Sequence, residues 1–84
     1  MNKKVFNLEY QYQLYLKRVA LKECNMPPVQ QKEMRRVFMG ACGQMIFMLR
    51  DDVAALEEDE AIKVLEDMKN QVGDYFMKIT NKYN

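Results

Sequence analysis

The chain has 84 residues, of which 49% are hydrophobic and 30% charged, and its formal net charge is +1 at pH 7. This size allows one domain with a small core, and the composition is typical of globular rather than disordered proteins. The sequence contains no histidine. This excludes Ser-His and Cys-His nucleophilic catalysis and leaves too few ligands for a structural zinc site. We therefore expect a protein that is not an enzyme and has no catalytic residue, cofactor or bound metal.

The N-terminus and the longest apolar run predict a cytoplasmic protein that does not enter a membrane. The first ten residues lack the apolar segment of a signal peptide. The longest apolar run, residues 37–49, is shorter than the roughly 20 residues that span a bilayer. Cys24 and Cys42 are expected to lie too far apart for a disulfide, and reduced thiols suit the same compartment.

Glycine and proline are scarce (3 and 2 residues), so few chain reversals are expected. Two positions favour one. The first is Asn-Met-Pro-Pro at 25–28, where a proline suits the first turn of a new helix. The second is the acidic stretch 56–60, whose carboxylates favour a helix N-terminus. We predict an all-α fold, an antiparallel three-helix hairpin or bundle with a long central helix. The chain then forms one helical domain over 1–84, with helices at about 5–24, 28–55 and 59–81.

The first segment is ambiguous between helix and strand. Residues 5–16 alternate between apolar and polar side chains, as a half-buried strand would. Leu8, Tyr12, Tyr15 and Val19 also follow helical spacing. We favour a helix because the chain offers no second strand to pair with this one, and whether the helix packs on its own chain or on a second copy stays open.

The second segment poses a packing problem. Residues 37–49 contain a single polar side chain, Gln44. A helix that is apolar on all sides must be covered by neighbouring helices, by a second copy or by a partner. Gly40 and Gly43 admit two interpretations: room for a bulky side chain or a bend within the chain, or a flat strip for a second helix. The predicted interface residues are Phe38, Met39, Gly40, Ala41, Gly43, Met45, Phe47 and Met48.

The third segment has one apolar seam, formed by Leu65, Met68, Val72, Tyr75 or Phe76, and Ile79. The second helix has two adjoining apolar rows at helical spacing. They are Met39, Cys42, Ile46, Leu49, Val53 and Leu56, and Met34, Phe38, Ala41, Met45 and Met48. Because the third helix has one seam and the second has two apolar faces, we expect the second helix in the middle of the fold.

Charge is distributed unevenly along the chain. Residues 1–36 carry eight basic and three acidic side chains, whereas residues 37–68 carry two and eight. An antiparallel fold would gather the basic side chains at the end that contains the prolines. That end is either a solvated surface, a docking site for the acidic end of another copy, or an anion-binding site. The anion-binding candidates are Lys22, Lys32, Arg35 and Arg36.

Three stretches, 26–30 (MPPVQ), 40–44 (GACGQ) and 50–61 (RDDVAALEEDEA), resemble parts of small helical proteins of bacteria and their phages. That resemblance implies a helical fold and no assigned function. In size and helical build the chain is also similar to phage proteins that oligomerise and sequester cyclic-nucleotide immune signals.

These features predict a homo-oligomer that associates through its central helix and acts by binding a protein or an anionic small molecule. The alternative is an oligomeric sponge for an anionic small molecule or nucleotide signal, of the phage anti-defence type. Nucleic-acid binding is not expected, because the helices are long for a helix-turn-helix and the net charge is small.

Overall fold

The computed structural model describes residues 3–82, with side chains described up to residue 79. It contains three α-helices, and no strand is present in this part of the chain: α1 (Leu8–Arg18), α2 (Pro28–Asp51) and α3 (Glu58–Lys82). Single-turn 3-10 helices lie at Lys3–Phe6, Glu23–Asn25 and Val53–Ala55. The predicted all-α fold with three helices is confirmed. The ambiguous first segment forms a helix rather than a strand.

The chain divides into two compact units, and the division falls within α2. Unit 1 comprises the residues up to Met45, and unit 2 comprises the residues from Ile46 onward.

In unit 1, α1 begins at Leu8 because Asn7 caps it. The Asn7 side-chain oxygen accepts a hydrogen bond from the Tyr10 backbone N–H at 3.0 Å, which satisfies one of the free donors of the first turn. Before the cap, the chain makes a 3-10 turn, and the Gln11 side chain donates to the Val5 carbonyl at 2.7 Å. The helix was expected to start near residue 5, a position that this turn occupies.

The first helix ends at Arg18, earlier than the predicted end near residue 24, because a Schellman motif terminates it. The Leu21 N–H donates to the Leu16 carbonyl at 2.9 Å, and the Ala20 N–H donates to the Lys17 carbonyl at 3.1 Å. The backbone of Ala20 has φ = 57°, the left-handed conformation that this motif requires at the residue after the helix cap. Glycine usually occupies that position, so the sequence gives no stop signal there.

The second helix begins at Pro28, where proline has no N–H to leave unsatisfied. The Gln31 side chain donates to the Met26 carbonyl at 2.9 Å and fixes the entry into the helix. The predicted end near residue 55 is four residues beyond the observed end at Asp51. Residues 53–55 form a separate 3-10 turn.

In unit 2, α3 begins with three acidic residues, Glu58, Asp59 and Glu60. Their charges favour the positive end of the helix dipole, as the sequence predicted. Buried Val53 anchors the turn that precedes this helix.

The core of unit 1 is small. Among its described residues, the buried apolar side chains are Tyr12 and Leu16 from α1 and Met26 from the turn before α2. Met34 and Phe38 of α2 pack against them and are partly buried. A core of this size gives little net stability, so local backbone features have a large relative effect.

We predict that Ala20→Gly stabilises unit 1. Glycine adopts the left-handed conformation without the steric cost that a Cβ imposes, and the expected gain is about 1 kcal/mol, or a rise in Tm of roughly 4–8 °C. Thermal denaturation followed by circular dichroism measures it.

The matched control is Ala41→Gly, at an exposed position inside α2. It should have the opposite sign and destabilise the protein by about 0.5–1 kcal/mol. If Ala20→Gly lowers Tm as Ala41→Gly does, the backbone conformation at residue 20 is not as described.

Candidate functional site

An apolar groove lies between α1 and α2 within unit 1. Its volume is about 480 Å³, and it is lined by Tyr15, Gln30, Glu33, Met34, Val37, Phe38 and Ala41. Phe38 forms its wall, with its ring centroid 5.1 Å from that of Tyr12 and 5.7 Å from that of Tyr15. Grooves of this volume that are mostly apolar with a few polar groups at the edge are typical of binding sites.

Arg35 connects three segments next to the groove. Its Nε and Nη2 donate to the two carboxylate oxygens of Glu23 at 2.7 and 2.9 Å. Its Nη1 donates to both oxygens of Glu9 at 2.7 and 2.8 Å. The guanidinium carbon also lies 4.9 Å from the centre of the Tyr12 ring. Arg35 on α2 therefore holds α1 and the turn at Glu23–Asn25 in place, and the planar fork of arginine suits this geometry.

These contacts shift the acid–base behaviour of the cluster. The hydrogen bonds that Arg35 donates to Glu23 and to Glu9 raise the pKa of Arg35 above its ordinary value. The hydrogen bond from Arg35 lowers the pKa of Glu23. Burial raises the pKa of Tyr12, and the negative charge of Glu23 raises it further. The side chain of Tyr12 is 0% exposed, and its hydroxyl has no partner that meets hydrogen-bonding geometry among the described atoms, although Glu23 lies close enough to act on it.

Arg35 was predicted as an anion-binding residue, and the structure places two carboxylates on it. The three groups together carry a net charge of −1, so an added anion would have to displace a carboxylate. The structure places Lys22 elsewhere, in a second cleft of about 360 Å³. Lys17 and Tyr10 also line that cleft, together with Leu16 and Leu21.

Lys32 and Arg36, the other two anion-binding candidates, are exposed on α2 and line neither of these clefts. Of the four anion-binding candidates, only Lys22 lines either cleft, so the structure does not bring the four together in one of them. Sequence reasoning missed Tyr10 because it continued the first helix to about residue 24. The return of the chain after Arg18, which creates the second cleft, depends on the left-handed conformation of Ala20.

The predicted interface residues lie along one stretch of α2 and differ in exposure. Phe38, Met39 and Met48 are partly buried, whereas Ala41 and Met45 are exposed and Phe47 is 55% exposed. Val37, which was not among the predicted interface residues, is 67% exposed and lines the groove. The apolar run is therefore only partly covered in the single chain.

Gly40 and Gly43 face open space. A Cβ built at either position would have no described atom within 4 Å, apart from the local backbone of the helix. The interpretation that these glycines make room for a bulky side chain of the same chain is therefore not supported within the described residues. A local bend and close approach by another helix are the two interpretations that remain.

Arg50, near the end of α2, contacts Asp51 and the ring of Phe47. Its Nε donates to Asp51 at 2.7 Å, and its guanidinium lies 5.1 Å from the ring centre of Phe47. The hydrogen bond from Arg50 lowers the pKa of Asp51. Phenylalanine and arginine are both among the residue types that are enriched in protein–protein interfaces.

The described residues contain no group of three His, Cys, Asp or Glu side chains arranged to hold a metal ion. None of the helices, over the range that the structure describes, is both long and apolar enough to cross a membrane. No protein-family model, curated protein or solved structure matches the chain.

We predict that Arg35 makes the stability of unit 1 depend on pH. A carboxyl group whose pKa is lowered in the folded state stabilises that state above its unfolded pKa, and the contribution is lost as pH falls through the folded pKa. For Glu23 this window lies below its ordinary value near 4.5. The Tm should therefore fall when the pH is lowered through and below that value.

Arg35→Met should lower Tm at neutral pH by a few degrees, and its difference from the unsubstituted protein should shrink in acid. Arg36→Met is the matched control, because Arg36 is exposed on the next position of the same helix. An unchanged pH profile in Arg35→Met would show that the pairing with Glu23 and Glu9 does not contribute to stability.

Proposed function

We propose that the protein is a non-enzymatic helical protein that self-associates through α2 and acts by binding a partner. The observation that carries this proposal is the exposure of the apolar run of α2, where Val37 is 67% and Phe47 is 55% exposed. Met45, Ile46 and Leu49 are exposed as well. Large apolar side chains exposed at this density along one helix are typical of interaction sites on soluble proteins.

The small core gives a second reason. Unit 1 buries Tyr12, Leu16 and Met26 among its described apolar residues, and unit 2 buries Val53. Burial of apolar surface contributes about 25 cal/mol per Å². An interface of about 800 Å² per partner would bury further apolar surface, and the part of that gain that exceeds the entropic cost of association would stabilise the assembly. Association thus supplies stability that the single chain lacks.

Charge supports a two-fold arrangement of two α2 helices in opposite directions. Lys32, Glu33, Arg35 and Arg36 in the first half of α2 carry a net charge of +2, whereas Arg50, Asp51 and the following Asp52 carry −1. Antiparallel packing about a two-fold axis places the basic half of each helix near the acidic end of the other. Gly40 and Gly43 lie near the middle of the helix, where their open surface permits close approach.

We predict that Phe47→Lys weakens self-association at least tenfold, because it places a second positive charge beside Arg50 in an apolar interface. Sedimentation velocity at micromolar concentration measures the association, and circular dichroism checks that the helices remain.

The matched control is Asn70→Lys, which adds the same charge at an exposed position of α3 away from its apolar seam. It should associate like the unsubstituted protein. A protein that is monomeric without any substitution would refute the proposal.

A second candidate function is the binding of an anionic small molecule or nucleotide, and the cleft that contains Lys17 and Lys22 favours it. The cleft is lined by two lysines, the Tyr10 ring, three leucines and Gln13, and also by Glu23, whose charge is paired with Arg35. A phosphate can pair with the lysines while a base stacks on the ring.

For this candidate we expect cyclic and linear nucleotides to raise Tm in a thermal-shift experiment, and Lys17→Gln with Lys22→Gln to abolish the rise. Lys63→Gln, on exposed α3, should leave it unchanged. If no nucleotide raises Tm, the candidate is discarded.

A further inference from the structure

We propose that the groove between α1 and α2 is filled by α3 of a second copy, lying parallel to α2 of the first copy. This inference rests on the proposed self-association and identifies the surfaces that meet. The α3 stripe, defined as Leu65, Met68, Val72, Tyr75 and Ile79, provides the apolar side chains.

The groove and the stripe match in chemistry and length. The groove is lined mainly by apolar side chains between Gln30 and Ala41, a span of about 17 Å at 1.5 Å per residue. The stripe spans about 21 Å on the same basis. Its side chains remain accessible, since Leu65 is 44% and Val72 is 57% exposed. A helix with an apolar stripe docked in such a groove is a recurring mode of recognition.

The two units carry opposite charge. Residues 3–45 have eight Lys or Arg and three Asp or Glu, a net charge of +5. Residues 46–82 have five Lys or Arg and nine Asp or Glu, a net charge of −4. Docking of α3 from one copy onto unit 1 of another therefore brings opposite charges together.

The order of charges along α2 and α3 favours one direction for the docked α3 relative to α2. The first turn of α3 contains Glu58, Asp59 and Glu60. In an antiparallel pairing of α2 and α3 this acidic turn would lie beside Asp51, and Lys78 would lie near Lys32, so like charges would meet. In a parallel pairing the acidic turn lies toward the basic first half of α2 and Lys78 lies away from it, so these like charges stay apart.

The length of the connection excludes the chain's own α3 as the parallel partner. Residues 52–57 link the two helices, and six residues reach at most about 21 Å when fully extended. A parallel α3 would have to begin near the start of α2. That point lies about 36 Å from the end of this 24-residue helix. A parallel helix in the groove must therefore come from a second copy.

Cross-linking tests the direction of the docked α3 and the chain that supplies it. The two variants that are mixed differ in size, for example by a tag on one of them, so that a cross-linked heterodimer can be identified. Each chain carries one new cysteine in a Cys24→Ser, Cys42→Ser background: Gln30→Cys at the start of the groove in one chain, and Ala61→Cys or Ile79→Cys in the other. A short bismaleimide, which tolerates about one helical turn of register, joins the cysteines. Sedimentation of the same samples reports whether they associate, and circular dichroism confirms that they are helical.

We expect the mixture of Gln30→Cys with Ala61→Cys to give severalfold more cross-linked heterodimer than the mixture with Ile79→Cys. Equal yields, or an excess with Ile79→Cys, in a sample that sediments as an oligomer would overturn the inference and leave the proposed self-association intact. An internal cross-link in a chain that carries both Gln30→Cys and Ile79→Cys would assign the groove to its own α3 and also overturn it. Monomeric sedimentation would remove the proposed function and this inference together.

Discussion

The central constraint on this protein is that α2 carries more apolar surface than α1 can cover. α1 contributes eleven residues and contacts α2 around Phe38 and Arg35. Past that contact, α2 continues to Asp51 with apolar side chains exposed. Exposed apolar surface costs free energy in proportion to its area. The open groove and the proposed association both follow from the apolar surface of α2 that α1 leaves exposed.

Within unit 1, a polar cluster compensates for the small core. Arg35 joins Glu9, from α1, to Glu23, from the turn before α2, and its guanidinium covers the ring of Tyr12. Exposed ion pairs usually contribute little. The pair with Glu23 is bidentate and partly shielded, and Glu9 accepts from a third guanidinium nitrogen, which fixes the geometry of three segments around a single aromatic ring. The buried hydroxyl of Tyr12 is a cost of that arrangement, since it lacks a well-placed partner among the described groups.

The sequence predicted the fold class and the main features of each helix, because those depend on local rules. Pro28 starts α2 and the acidic run starts α3, as their backbone and dipole preferences require. The end of α1 was not predictable, because it depends on Ala20 in a conformation that alanine seldom adopts. Asn7, by contrast, is a residue type with a strong capping preference, and it carries a signal for the observed start of α1.

The candidate site was predicted less completely than the fold. The spacing of the apolar residues located the exposed stretch of α2, but helical periodicity does not specify which face a neighbouring helix covers. Val37 was therefore missed as a groove residue. Arg35 was assigned to anion binding from its place in a basic segment. Its carboxylate partners are 26 and 12 residues away in sequence, and tertiary pairing over such separations leaves no local pattern.

In the proposed association, the opposite charges of the two units also affect how fast copies meet. Complementary fields orient approaching molecules before contact and raise encounter rates above those of neutral surfaces. That attraction extends about 8 Å at physiological ionic strength and shortens as salt is added. In the proposed assembly, association is thereby coupled to the ionic composition of the surroundings through kinetics, independently of the apolar surface that we propose holds the copies together.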